Sequence, residues 1–264
     1  MKKFFSRFYV SLILLFMYLP ILVLILFSFN ETKGRTWTNF SFKWYVELFK
    51  DDIIIGALWN TLFVAVVAAV VSTILGTVAA IGVHNMKRQS KTLIKNVNNL
   101  PLINPEIVMG ISLMILFSFC RINPGFITII IAHITFCIPS VVLSVLPKLR
   151  QMNNSIYEAA VDLGCNDFQA FYKVILPEIM PGVISGFLMA FTYSIDDFVI
   201  SYFTAGPDSQ TLPLVIYTIT RKPMTPKLNA LSTIIFVIVL FVLLITNFIS
   251  RKDHDKQKKA KKNF

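Results

Sequence analysis

NSIYEAAVDLGCNDFQAFYKVILPEIMPG, residues 154–182, is a polar, patterned stretch set between long apolar runs, and its reading decides what the apolar runs are for. Asn154 or Ser155 can cap a helix carrying Ile156, Ala159, Ala160 and Leu163 on one side. Gly164 suits the left-handed residue that ends such a helix. Asn166 or Asp167 can cap a second helix with Phe168, Phe171, Tyr172 and Ile175 on its apolar side, and Pro177 and Pro181 mark the return to the apolar region. Two short amphipathic helices with exposed aromatic and small residues form a knob suited to another protein's groove. The plainer alternative is a knob that packs under its own bundle.

The surrounding chain is a membrane sequence. Of its 264 residues 55% are hydrophobic, and 24 are phenylalanine. A soluble domain would be about 45–50% apolar. Runs of roughly 18 or more apolar residues read as spans. Six are present, at about 8–29, 57–83, 99–119, 125–146, 181–203 and 230–250, each predicted to be a helix because lipid offers backbone groups no partner. The first has a basic start, but its apolar stretch is too long for a signal core and ends in SFNET without a small-residue cleavage site. It reads as a retained span, bent near Pro20.

Charge sets the orientation. With both termini inside, the cytoplasmic segments hold Lys2, Lys3 and Arg7, then Lys87, Arg88, Lys91 and Lys95, then Lys148, Arg150 and Lys173, and the basic tail 251–264. These are most of the 25 basic residues, so a multi-pass protein with both termini cytoplasmic is expected. The tail, RKDHDKQKKAKKNF, is read as an orientation signal that meets anionic lipid; no nucleic-acid partner is expected.

Enzymatic chemistry finds no support. Cys120, Cys137 and Cys165 share no loop, which suggests neither disulfide nor metal site. A nucleotide-binding glycine loop, HExxH and GxSxG are all missing from the sequence. His133, inside the fourth span, reads as a hydrogen-bonded packing residue.

The chemistry that needs explaining lies in FTYSIDDFVISYF, residues 191–203. A carboxylate near the bilayer centre costs roughly 2.5–3.5 kcal/mol and normally faces a bundle interior or watery cavity. On one continuous helix, Ser194, Asp197, Ser201 and Thr204 would form a polar stripe, with Asp196 about 100° round from Asp197. At about 1.5 Å per residue the pair lies some 22 Å beyond Pro181, in the outer half of the membrane. Glu106, in span three directly after the loosening Pro101 and Pro105, is a third acid nearer the cytoplasm. No Lys or Arg falls inside these spans, which favours a cationic substrate. Ser194 and Tyr193 are expected to assist, and Tyr193, Tyr202 and Trp44 could meet a cation and its methylene stem through ring faces. An interfacial belt is the alternative for Trp44. On this reading Asp197→Asn should fold at least as well as the parent chain. Ser72, Gly76 and Ala80, and Gly182 and Gly186, are small-residue steps for close helix packing.

The loop also carries a resemblance. Glu158-Ala159-Ala160, then Gly164, then nine residues later Val174-Ile175-Leu176-Pro177 is similar to the EAA loop of ABC importer permeases, with one Ile replaced by Val174. SFKWYVELF (41–49), NPEIVMGISL (104–113), HITFCIPSVV (133–142), the aspartate pair and LNALSTI (228–234) extend the resemblance to the permease subunits of spermidine/putrescine importers. It implies an all-α, six-helix, type I ABC importer permease-like fold, with residues 1–264 as one domain in the bacterial cytoplasmic (inner) membrane. It further implies a pore shared with a second, homologous permease chain and an extracytoplasmic substrate-binding protein. Two ATP-binding subunits would dock on 147–180, through Glu158, Ala159, Ala160, Gly164, Asp167, Leu176 and Pro177. This chain would be no enzyme and hold no cofactor or metal; ATP and Mg would belong to the partner. Asp196, Asp197, Glu106, Ser194, Tyr193 and Trp44 would line the substrate path. A permease of the same family for another cation or small solute is the runner-up, and an ion-coupled secondary transporter is the reading from a different class.

Overall fold

A computed structural model describes residues 2–34, 36–221, 226–237 and 240. The described elements are helices α1 (Lys2–Ser28), α2 (Lys43–Phe49), α3 (Asp52–Asn85), α4 (Arg88–Ile103), α5 (Glu106–Phe119), α6 (Phe126–Gln151), α7 (Asn154–Asp162), α8 (Asp167–Ala170), α9 (Leu176–Asp196), α10 (Val199–Thr204), α11 (Leu212–Thr220) and α12 (Pro226–Val237). A π-helical segment, Phe171–Ile175, joins α8 to α9. Among the described residues, four helical stretches are long and apolar enough to cross a membrane: Phe8–Ser28, Asp52–Asn85, Phe126–Gln151 and Phe168–Asp196. Arg88–Pro101 and Glu106–Phe119, bent through 94°, form a fifth if taken together. The sixth predicted span begins in α12; its remainder and the basic tail lie outside the described residues.

Three expectations are corrected. Span three is not one helix over 99–119, because it turns at Asn104 and Pro105, where a proline without an N–H and an extended preceding residue end α4. The second loop helix is not separate from span five. The π segment, in which the Leu176 N–H reaches the Phe171 carbonyl, carries one rod past Pro177 and Pro181. Local π adjustment is a known way to run a membrane helix past proline. Span five itself is not continuous to 203, since α9 stops at Asp196 and α10 starts at Val199.

The chain divides into two units, Met1–Asp52 with Ile216–Phe264, and Ile53–Val215. In the first, α1 runs unbroken through Pro20. The loop after it is organised by Asn30, fully buried, whose side chain bonds Thr32 O, Thr36 O and the Thr38 N–H. Lys227 pairs with Asp51.

In the second unit α6 is the central post. It runs antiparallel to α9, and the register is read from contacts. A Cβ built on Gly182 would lie 3.0 Å from Ser144 O, and one on Gly186 3.1 Å from Val141 Cγ1. Next, Cys137 Sγ lies 3.4 Å from Ala190 O, and His133 Nδ1 lies 2.5 Å from Ser194 Oγ. Small residues every fourth position (Gly182, Gly186, Ala190, Ser194) give α9 a flat face, and α6 lies against it. Gly76 of α3 meets Val141 of α6 from another side, at 2.7 Å for a built Cβ. The resulting core includes Ala69, Leu113, Phe136, Val145 and Ile179.

Candidate functional site

The break after Asp196 leaves the first N–H groups of α10 without helical partners, inside an apolar unit where each must find an acceptor. Asp197 supplies it. Its Oδ1 accepts from the Ile200 N–H (3.2 Å), and its Oδ2 accepts from the Ser201 N–H (2.7 Å) and the Ser201 hydroxyl (2.8 Å). His133 Nε2 stands 3.4 Å from the same Oδ2. The Ser201 proton goes to Asp197, so Ser201 Oγ accepts from His133 Nε2–H (3.1 Å). In the neutral ring, Nδ1 then accepts from Ser194 Oγ. Ser194, His133, Asp197 and Ser201 are all buried and mutually satisfied. The four polar residues of the predicted stripe do face inward together, but across a break that they hold closed.

The adjacent aspartate is placed differently. Asp196 ends α9 and is exposed. Glu106 is also exposed, in the first turn of α5, where a carboxylate suits the positive end of the helix dipole. The two share a neighbourhood. A Cβ built on Gly110, one turn beyond Glu106, would lie 3.4 Å from Val199 O and 2.7 Å from the Phe203 ring, and Val199 is three residues past Asp196. Tyr193 is half-buried, its ring 5.9 Å from Phe136. Tyr202 is exposed. Asp196 and Glu106 are thus open, while Asp197 and Ser194 belong to a closed network. Asp197 and Ser194 are buried against partners of their own, and Asp197→Asn, expected from the sequence to fold at least as well as the parent, would put a donor where the cap of α10 needs an acceptor.

Trp44 belongs to the other unit. It is buried, its indole N–H donates to Asn30 O (2.7 Å), and Lys33 and Lys43 lie 5.9 and 5.4 Å from its ring centre. Its ring faces the chain's own cations, so its visible work is to hold the loop.

The loop between α6 and α9 forms a second candidate surface. The Cys165 N–H bonds Ala160 O and the Gly164 N–H bonds Val161 O, the paired bonds of a Schellman end, with Gly164 at φ +85°. Asn166 and Gln169 cap α8 reciprocally: the Gln169 N–H donates to Asn166 Oδ1 (2.8 Å) and the Asn166 N–H to Gln169 Oε1 (3.3 Å). Asn166 rather than Asp167 is therefore the cap. Glu158, Ala159 and Ala160 lie in α7, Asp167 opens α8, and Leu176 and Pro177 open α9. Leu163, Phe168 and Tyr172 are 86%, 75% and 63% exposed. Open apolar side chains on a turn-linked pair of helices make this a candidate surface for a protein partner.

Among the described residues no cluster of His, Cys, Asp or Glu forms a metal site. His133 is the buried, hydrogen-bonded packing residue expected from the sequence; its partners Ser194, Ser201 and Asp197 were not foreseen, although a signal existed. The small-residue repeat from Gly182 continues through Ala190 to Ser194, and a four-residue spacing on α6 then puts His133 opposite Ser194.

The fold is that of a type I ABC importer permease. It is similar to a chain of a bacterial ABC transporter involved in the import of the acidic polysaccharide alginate, at TM-score 0.72 and 15% identity, covering 94% of this chain and 95% of that one. A chain of a bacterial alginate ABC transporter in complex with an alginate pentasaccharide-bound periplasmic protein gives TM-score 0.70 at 16% identity, covering 95% and 94%. The family profile described as "Binding-protein-dependent transport system inner membrane component" matches residues 72–252. The spermidine/putrescine transport system permease protein PotC of Haemophilus influenzae is 35% identical over 256 residues, 96% of this chain and 100% of that protein. The putrescine transport system permease protein PotI of Escherichia coli K12 is 39% identical over 228 residues, 83% of this chain and 81% of that protein. The chain belongs to the binding-protein-dependent transport system inner membrane component family, and is a multi-pass membrane component of a transport system.

Proposed function

We propose that the chain is a pore-forming permease subunit of an ATP-driven polyamine importer, moving spermidine or putrescine across the bacterial cytoplasmic membrane. One observation carries this reading: two relatives named for polyamine transport match most of the chain at 35% and 39% identity. The exposed carboxylates Asp196 and Glu106 support it, because separated negative sites suit a substrate with separated positive charges. Several weak contacts in series also let it leave. Tyr193 and Tyr202 offer ring faces for the methylene stem. A second, homologous permease chain completes the pore, and an extracytoplasmic protein delivers substrate. ATP and Mg are bound by two separate subunits that dock on 147–180, and both termini lie in the cytoplasm.

The test is uptake of radiolabelled spermidine and putrescine into cells whose own polyamine uptake is deleted, supplied with this chain and its genomic neighbours. ATP-dependent uptake that excess polyamine suppresses is the expected result. Uptake that persists in ATP-depleted vesicles would point to ion-coupled transport instead, and ATP-dependent uptake of another cation alone would reject the polyamine.

A further inference from the structure

Helix α4 is amphipathic in the reverse sense for water. Its polar side carries Lys91, Lys95, Asn98 and Asn99, all half-buried against the protein. Leu93, Val97, Leu100 and Ile103 point outward and are exposed, with Thr92 and Asn96 exposed among them. A helix so turned suits hydrocarbon outside and a polar site within. Such a site exists. Lys95, Asn98 and Asn99 of α4 and Arg150 in the last turn of α6 line a cavity of about 130 Å³, whose far wall is apolar and includes Val142, Leu143 and Leu146. No acidic side chain lines it, and neither Lys95 nor Arg150 belongs to an ion pair among the described residues. Lys91, one turn away, is already engaged, donating to the His84 carbonyl at the end of α3 (2.8 Å).

Two cations and two carboxamides converging without a counter-charge call for an anion. The guanidinium of Arg150 suits a phosphate, and the carboxamides add donors. The apolar wall and outward face of α4 suit an acyl chain. Lys87 and Arg88 stand at the start of α4 and Lys148 shares the last turn of α6 with Arg150; these segments are read as cytoplasmic, and basic pockets between membrane helices on that side bind lipid headgroups. We propose that this cavity binds the phosphate of an anionic phospholipid, with Lys95 and Arg150 as its charged partners. The leaflet assignment, though not the site, rests on the orientation given above.

The full chain, purified in detergent with the subunits that accompany it, would be titrated with phosphatidylglycerol, phosphatidylcholine or inorganic phosphate and read by native mass spectrometry. Each basic side chain near an anionic lipid contributes roughly fivefold in affinity, so Lys95→Gln/Arg150→Gln should retain phosphatidylglycerol about thirtyfold less well. Lys95→Arg, which keeps charge, should retain it, separating lost charge from altered packing. Equal retention by the double variant, or equal binding of phosphatidylcholine, overturns the proposal. Inorganic phosphate binding as tightly as the lipid makes this a free-phosphate site, and a crosslink from Lys95 to an accompanying subunit makes it a protein contact; either result overturns the lipid assignment. The assay is indifferent to orientation, so its failure and a failure of the topology are separate results.

Discussion

Asp196 and Asp197 are neighbours in sequence with different surroundings. Asp197 accepts three hydrogen bonds within α10 and stands beside His133, while Asp196 is exposed at the end of α9. That a membrane segment should hold two carboxylates was legible as something needing a reason. The division between them was not, because it depends on a helix break at Asp197 and Phe198 that no proline or glycine announces. The network around the break should carry stability. His133→Ala leaves Ser194 and Ser201 without their shared partner and should lower stability by about 1–3 kcal/mol. Thermal melting of the purified protein reads this; unchanged melting would mean the network is slack. Trp44→Phe should cost about 1 kcal/mol through the lost bond to Asn30 O while leaving the KM for substrate unchanged. A raised KM with unchanged melting would return Trp44 to the substrate path.

At the scale of elements, the α6–α9 seam depends on the absence of side chains. Gly186→Ile places a branched chain where a Cβ alone already lies 3.1–3.2 Å from Val141, so overpacking should cost about 1–3 kcal/mol and reduce the amount of folded protein in the membrane. Gly164 is different, because nothing lies within 4 Å of a built Cβ and its constraint is φ +85° alone. Gly164→Val should therefore strain the turn, loosening the placement of Leu163 and Phe168 and uncoupling ATP hydrolysis from uptake, whereas Gly164→Asn, which tolerates the left-handed region, should be milder. Equal, normal coupling in both would remove the loop from its assigned role. The loop was readable because capping residues and a left-handed glycine act locally. The π segment and the bend at Asn104 were not, since hydropathy records where apolar residues run and says little of how a helix passes or stops at proline.

For the whole molecule, the apolar runs announced an integral membrane α-protein, and the motif in the loop announced its family; both are properties of long stretches that survive local surprises. The distribution of Lys and Arg is the ground for proposing cytoplasmic termini, and native cysteines test it. Cys120 is exposed at the end of α5, and Cys165 is half-buried in the loop after Gly164. A membrane-impermeant maleimide added to intact cells should label Cys120 and reach Cys165 only after permeabilisation; the reverse pattern would invert the topology. The central claim is that one aspartate serves the substrate and its neighbour serves the fold. It is tested by measuring polyamine uptake per membrane-inserted molecule, together with melting temperature, for Asp196→Asn and Asp197→Asn side by side. The account requires Asp196→Asn to melt like the parent chain with uptake markedly reduced, and Asp197→Asn to melt at a lower temperature. Full uptake by Asp196→Asn, or parent-like melting of Asp197→Asn, would contradict it.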